Sequence, residues 1–264
     1  MSHEGIAFIS VLCVLTLAAV HVFVGKLRFL EGPPRSAYLS IAGGVSVAYV
    51  FVHLLPELAE DQKVIAASFR GALATVQHHI YVLALIGLAL FYGVEHLVDR
   101  SDAVKGSGPR SHADAARGSE TATPAGGETT TIGAFRLHLA SFGLYNLLIG
   151  YLLLHRIARG LPSLILFSIA MALHFLVTDH GLHERHRPNY ERLGRWVLVA
   201  AVLVGWLIAL FTTISDAWIA MLVAILAGGI ILNVLKQELP KEQRSRFWAF
   251  GTGAFAYTAI LLTL

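Results

Sequence analysis

The residues best able to bind a ligand are concentrated between positions 170 and 186, where four histidines and two carboxylates fall within 17 residues. If this segment is helical, Asp179 shares a face with His183, and His180 shares a face with Glu184, because each pair is four residues apart. Neutral imidazoles and carboxylates are the usual ligands of zinc and of other borderline divalent ions. The spacing therefore predicts a metal site. The alternative, from His183 onward, is a solvated helix end that binds nothing.

A second candidate pair ends the motif His-Leu-Leu-Pro-Glu, in which His53 and Glu57 are also four residues apart. Pro56 lies between them, removes one backbone hydrogen bond and should bend the helix nearby. Bent helices are common where transporters bind ions. This pair therefore predicts an ion site, and the alternative is a His–Glu hydrogen bond at the outer rim, with Pro56 ending the helix.

The composition places these residues in a membrane. Of the 264 residues, 56% are hydrophobic and only 14% are charged, whereas ordinary soluble domains are about 25% charged. The mean hydropathy is +0.66. A soluble fold of this length could not bury so many apolar side chains. This excludes a soluble cytosolic enzyme, a disordered chain and a DNA-binding module, and it predicts an integral protein of the cell (inner) membrane whose first partner is the lipid bilayer.

The apolar runs are continuous rather than alternating, which predicts an all-α membrane protein. One membrane domain, 1–264, is expected. Residues 99–131 are rich in Gly, Ser, Thr and Ala and predict a flexible cytoplasmic loop between the third and fourth helices. Eight transmembrane helices are predicted at about 6–25, 37–59, 78–98, 132–155, 161–182, 195–214, 217–236 and 247–264.

Three polar residues fall well inside these segments, where ionisable groups are costly and usually face a bundle interior or a cavity. They are His174 and Asp179 in the fifth segment and Asn146 in the fourth. An amide at membrane depth needs partners and can either hold helices together or coordinate an ion. The glycine pairs at 43–44 and 228–229 predict close helix packing.

The basic residues predict the orientation. Sixteen of the 20 Lys and Arg residues fall in the odd-numbered loops. Because short cytoplasmic loops are enriched in Lys and Arg, the odd-numbered loops are expected in the cytoplasm and both termini outside.

Three predicted helices end in recognisable motifs. The second ends His-Leu-Leu-Pro-Glu at Glu57, the third ends Gly-Val-Glu-His-Leu at Leu97, and the seventh is Gly-rich and is followed by Glu-Leu-Pro at 238–240. In these motifs the chain resembles the Zrt- and Irt-like protein (ZIP) family of divalent-metal transporters. A variable cytoplasmic loop after the third helix and the eight-helix plan also agree. The resemblance implies a 3+5 helix bundle, with both termini extracytoplasmic, that moves a divalent metal, zinc above all.

The chain departs from the family where the central metal ligands are expected. The family's fourth helix carries His-Asn-x-Pro-Asp/Glu-Gly, but here Tyr145 replaces the histidine and Ile149 the acid. Its fifth helix carries His-Glu-x-Pro-His/Glu-Glu, but here Phe175 and Thr178 replace two ligands. The resemblance therefore implies at most one weakened midplane site. A shifted alignment of the fifth helix would instead recover His183 and Glu184 as ligands.

The leading hypothesis is movement of a divalent cation from an outer entrance, through the depleted midplane site, to an inner mouth. The alternatives are a ZIP-fold protein that binds metal or a partner without transport, and a membrane metal hydrolase in which His53, His174, Asp179 and His183 surround an activated water. A haem protein is less favoured, no enzyme activity is expected, no nucleic acid partner is expected, and a homodimer stays open. The predicted metal ligands are His53, Glu57, Asn146, His174, Asp179, His180, His183 and Glu184.

Overall fold

The structure, a computed structural model, describes residues 3–27, 30, 36–68, 80–106, 128–238 and 246–263. Helices account for 95% of them, and none of these residues lies in a strand. The all-α prediction is therefore confirmed. The α-helices of the described residues are α1 (His3–Phe23), α2 (Ala37–Tyr49), α3 (Leu55–Ser68), α4 (Ile80–Gly106), α5 (Glu128–His155), α6 (Leu161–Asn189), α7 (Arg195–Phe211), α8 (Asp216–Asn233) and α9 (Phe247–Leu262).

Within the described residues, six helical segments are long and apolar enough to cross a membrane, which is consistent with an integral membrane protein. One of them, Leu161–Phe211, is 51 residues long and contains the fifth predicted segment and all but the last three residues of the sixth. The last predicted segment corresponds to the shorter apolar helix Phe247–Leu262. The count of eight spans therefore stays a prediction. The six segments are Ala7–Lys26, Ala37–Ser68, Ile80–Val98, Phe135–Arg159, Leu161–Phe211 and Asp216–Lys236.

Three helix pairs pack backbone against backbone: α2 with α9, α4 with α8, and α5 with α7. In each pair both helices contribute a glycine at which a Cβ atom would overlap a backbone carbonyl oxygen of the other helix. Small residues allow this close approach in membranes, and we call the three contacts the glycine seams. The close packing predicted at positions 43–44 and 228–229 is confirmed for Gly44 and Gly228, and a Cβ atom at Gly229 would lie 2.7 Å from the ring of Phe91 on α4. The seam glycines are Gly44 and Gly253, Gly87 and Gly228, and Gly150 and Gly205.

Several helices contain a π-helical turn, in which a backbone N–H bonds the carbonyl five residues before it. One such turn, Val50–Leu54, immediately precedes α3 and is closed by the bond from Leu55 N–H to Val50 O. Pro56 lies just beyond it, and the chain remains helical to Ser68. The prediction of a local disturbance at Pro56 agrees with this turn, but the alternative that Pro56 ends the helix is wrong.

A second distortion divides the 51-residue segment. His186 has non-helical backbone angles (φ −136°, ψ 41°), and Pro188 follows it. The π turn Tyr190–Gly194 then leads into α7. Proline and π turns are the usual causes of sharp kinks, so α6 and α7 are separate helices joined without a loop.

The predicted flexible loop 99–131 is only partly within the described residues. Helix α4 continues to Gly106 and α5 begins at Glu128, so these helices extend into both ends of that range. Residues 107–127 lie outside the described residues. Among the described helices, α6 is the most useful for locating function, because it contacts α1, α2 and α5 and carries buried side chains from Leu164 to His186.

Candidate polar site around helix α6

The cluster around Asp179, which we call the Asp179 cluster, consists of His21, Asp179 and Tyr190. It joins α1, α6 and the π turn that follows α6. His21 Nδ1 lies 2.5 Å from Asp179 Oδ2, and the Tyr190 hydroxyl donates to the same oxygen at 2.7 Å. That hydroxyl also lies 3.1 Å from the backbone carbonyl of His21. His21 is 0% and Asp179 is 3% exposed. Asp179 is thus a buried carboxylate with two partners, neither of which is the predicted His183.

His174 is also fully buried, and it faces α5 rather than the Asp179 cluster. Its Nε2 atom lies 2.8 Å from the hydroxyl oxygen of Tyr145, the residue that replaces the expected histidine ligand. The ring of Phe91 packs edge-on against Tyr145, with ring centroids 5.6 Å apart. Thr178, one turn after His174, donates its hydroxyl to the His174 carbonyl at 3.0 Å. At the predicted midplane site, the Nε2 atom of His174 therefore already has the Tyr145 hydroxyl as its partner.

Asn146 lies next to Tyr145 on α5 and is 2% exposed. Its amide nitrogen donates to the Phe142 carbonyl, one turn earlier, at 2.8 Å. Its Oδ1 atom is buried and has no hydrogen-bond partner among the described residues. A buried amide oxygen without a partner is costly. A ligand or a water that donates to Asn146 Oδ1 would remove this cost.

The far end of α6 carries the remaining predicted ligands. His180 Nε2 lies 3.5 Å from Glu184 Oε1, as the four-residue spacing predicts. His183 Nε2 instead lies 3.0 Å from Glu191 Oε1, and Arg187 Nε donates to the same oxygen at 3.2 Å. His183 and Asp179 share a face of α6, yet each finds its partner on another turn or helix.

The His183 ring is held close to the chain just after α1. A Cβ atom built on Gly25 would lie only 3.0 Å from His183 Nε2. Farther along α6, His186 is buried beside α5, with its ring centroid 6.0 Å from that of His138. His138 is only 4% exposed, although the sequence alone gave it no role beyond a helix end. These contacts place buried imidazoles along most of the second half of α6.

A separate ionic cluster, the arginine clamp, consists of Glu57 and Asp61 of α3 with Arg156 and Arg159. The two arginines lie in a 3-10 turn, Arg156–Arg159, directly after α5. Glu57 receives hydrogen bonds from both arginines, and Asp61 receives one from Arg159. Arg156 is only 4% exposed, so its charge is compensated inside the protein.

The arginine clamp changes the interpretation of the predicted pair His53 and Glu57. His53 Nε2 is 3.9 Å from Glu57 Oε2, so the two side chains are neighbours as predicted, but the arginines are the closer partners of Glu57. The guanidinium of Arg156 also lies 4.7 Å from the ring centroid of Phe167 on α6. The signal for this cluster was the presence of basic and acidic residues on the same predicted side of the membrane.

The eight predicted ligands do not form one site. Within the described residues, no group of three or more His, Cys, Asp or Glu side chains is placed to hold a metal ion. Zinc usually takes four ligands, or three and a water. The four residues named for a hydrolase, His53, His174, Asp179 and His183, likewise have separate partners. Metal binding would require several of these hydrogen bonds to be exchanged.

Comparison with known proteins adds no assignment. No protein-family model matches the chain, and no curated protein matches it. The resemblance to the ZIP transporters therefore stays a prediction, carried by the motifs at Glu57, at Leu97 and at 238–240.

Proposed function

We propose that the chain is an eight-span membrane protein that moves a divalent cation, with zinc the first to be tested, along the face of α6 that contacts α1 and α5. One observation carries the proposal: buried histidines and the buried Asp179 follow one another along α6 and the helices beside it. Buried ionisable groups at membrane depth are costly and mark ion pathways by default. The buried histidines of the described residues are His21, His138, His174, His180, His183 and His186.

Four of these six histidines are on α6, and the other two are on α1 and α5. A neutral imidazole avoids the large cost of burying a charge and still offers a nitrogen ligand. Asp179 supplies the negative charge that a divalent cation needs near the middle of the path. The cation would replace the present partners of these groups, namely the hydroxyl of Tyr190 at Asp179 and the hydroxyl of Tyr145 at His174.

The arginine clamp reduces the role that His53 and Glu57 can have at the predicted outer entrance. Two arginines compensate the charges of Glu57 and Asp61, so an arriving cation gains less from these carboxylates than from uncompensated ones. The proposal keeps the orientation that the basic residues predict, with the odd-numbered loops and the inner mouth near His186 in the cytoplasm.

The test is zinc uptake into proteoliposomes that contain a trapped zinc-sensitive dye. Uptake faster than in empty liposomes is expected for the wild-type protein. Asp179→Asn and His174→Ala should lose most of it, because each removes a buried ligand. His96→Ala is the matched control, since His96 is exposed on α4 and should transport normally. Uptake no faster than in empty liposomes would overturn the proposal.

A second candidate is a ZIP-like membrane protein that binds metal or a partner without transport. The hydrogen bond between Tyr145 and His174 and the double engagement of Asp179 favour it, because both satisfy groups that a passing cation would need. Stoichiometric zinc binding in calorimetry, with no uptake in proteoliposomes, would support this candidate over the first. Uptake that the Asp179→Asn variant abolishes would exclude it.

A further inference from the structure

A recess opens between the end of α1 and the start of α7, beside the buried histidines His21 and His183. Its volume is about 160 Å³. It lies where α1 passes into the 3-10 turn Val24–Lys26 and where the π turn Tyr190–Gly194 passes into α7. The residues that line it are Val22, Gly25, Lys26, Tyr190, Glu191 and Arg195.

The charges that line this recess favour an anion. Lys26 and Arg195 contribute two cations from different helices. Arg195 Nε is buried and has no hydrogen-bond partner among the described residues, so one donor of its guanidinium is unsatisfied. Glu191 is the one lining carboxylate, but it already accepts from Arg187 and lies within hydrogen-bond distance of His183. Both contacts are made by Oε1 of Glu191, and the Arg187 guanidinium offsets its charge, so Lys26 and Arg195 leave the lining positive.

Each of the two cations also lies against an exposed aromatic ring on its own helix. Lys26 Nζ is 5.4 Å from the ring centroid of Phe23, and the guanidinium carbon of Arg195 is 5.2 Å from that of Trp196. Phe23 is 52% and Trp196 is 51% exposed. Aromatic rings and long cationic side chains at helix ends are typical of the headgroup level of a bilayer. These rings and cations favour a position for the recess at the level of the lipid phosphates.

We propose that this recess binds a phosphate group, with Lys26 and Arg195 donating to its oxygens. The planar guanidinium suits phosphate because it can donate two parallel hydrogen bonds. The same chemistry is offered by an anionic phospholipid headgroup and by free inorganic phosphate. This ligand is an anion, whereas the proposed path along α6 takes a cation. The recess borders that path at Tyr190 and Glu191, which are partners of Asp179 and His183.

The test compares variants of the purified full-length protein in detergent. Lys26→Gln and Arg195→Gln each remove one lining cation, and Arg195→Lys keeps the charge but removes the planar fork. The matched control is Arg192→Gln, because Arg192 is exposed in the same π turn and does not line the recess. Lys26 is exposed, so Lys26→Gln tests the site without threatening the fold.

Two probes distinguish the source of the phosphate. Native mass spectrometry measures retention of phosphatidylglycerol against phosphatidylcholine, and phosphorus NMR measures binding of inorganic phosphate. Saturable retention of phosphatidylglycerol identifies a lipid headgroup, and saturable binding of inorganic phosphate without lipid preference identifies the free anion. Either result supports the proposal if affinity falls about tenfold in Lys26→Gln and in Arg195→Gln and is unchanged in Arg192→Gln.

Two outcomes would overturn the proposal. One is that neither probe binds saturably to the wild-type protein. The other is that Lys26→Gln and Arg195→Gln bind as tightly as the wild type, or no more weakly than Arg192→Gln. Arg195→Lys should fall between the wild type and Arg195→Gln, because a lysine keeps the charge without the bidentate geometry.

Discussion

Two kinds of helix contact hold this protein together. Glycine seams join α2 with α9, α4 with α8, and α5 with α7, whereas α6 meets α1 and α5 through hydrogen-bonded side chains. At a seam the backbones are so close that one methyl group would overlap a carbonyl oxygen. Around α6 the contacts are specific hydrogen bonds, such as that of Asp179 with His21 at 2.5 Å. The seams fix one relative position of two helices, while hydrogen-bonded side chains can exchange partners.

This difference separates stability from binding. A change at a seam forces backbones apart and should lower the stability of the whole protein. A change among the hydroxyl groups around α6 leaves the backbone packing intact and should act mainly on what the buried imidazoles and Asp179 can bind. The arginine clamp is an exception among the polar contacts. Because it encloses full charges, a change there should lower stability.

Breaking the arginine clamp should have the largest effect. Arg156→Ala leaves Glu57 buried with one fewer cation, and loss of one partner from a buried ion pair typically costs about 3–5 kcal/mol. The free energy of unfolding in mixed micelles, measured by denaturing-detergent titration, checks this. Lys236→Ala is the control, because its pair with Glu95 is more exposed and should cost at most about 1 kcal/mol. Equal losses in the two variants would contradict the assignment of Arg156.

The glycine seams should show the next largest effect. Gly87→Ala introduces a methyl group that overlaps the carbonyl oxygen of Ile225 on α8, and such overpacking typically costs about 1–3 kcal/mol. Gly93→Ala, on the same helix, meets no atom within 4 Å. It should leave stability unchanged or raise it by up to about 1 kcal/mol, because alanine favours the helix. The same titration compares the two, and an equal response would mean that α4 and α8 do not pack at Gly87.

A smaller loss of stability is expected from Tyr190→Phe. The change removes the hydroxyl that donates to Asp179 Oδ2 at 2.7 Å. Because Asp179 keeps His21 as a partner, the cost should be that of one hydrogen bond, about 0.5–1.5 kcal/mol. Tyr92→Phe is the matched control, since Tyr92 is 53% exposed and its loss should be undetectable. Thermal unfolding of the two variants, monitored by circular dichroism, measures the difference. Identical melting temperatures would show that the Asp179 cluster does not need this hydroxyl for its stability.

The smallest effect should be on zinc binding in Tyr145→Phe. The phenylalanine keeps the ring against Phe91 but removes the hydroxyl from His174 Nε2. If zinc uses His174, its affinity should rise roughly two- to tenfold, because one competing hydrogen bond is lost. Competition with a fluorescent chelator measures this, with Tyr92→Phe again as the control. An unchanged affinity would place any bound zinc away from His174.

Local spacing predicted the fold class and the faces of helices, but it could not predict which helix lies against each face. The packing role of Gly44 and Gly228 follows from composition and small size alone. The spacing of His180 and Glu184 also gave the observed pair. In contrast, Asp179 pairs with His21, which is 158 residues away in sequence.

The arginine clamp was missed for the same reason. Arg156 reaches Glu57 across 99 residues of sequence, and no periodicity within one helix reports such a contact. The family motif suggested that Glu57 would face an ion, because a carboxylate after Pro56 matches the pattern. The charge that meets it is instead supplied by the chain itself.

The π turns affect how the chain tolerates changes in length. Removing one residue from an ordinary α-helix rotates everything beyond it by about 100°, which would turn a buried face toward lipid. A π turn such as Val50–Leu54 already holds one residue more than an α-helical turn, so a loss there can convert it to α-helix while the flanking faces keep their direction. Single-residue deletions should therefore be tolerated at these turns and rejected at the glycine seams, where helix rotation would bring larger side chains against the opposing backbone.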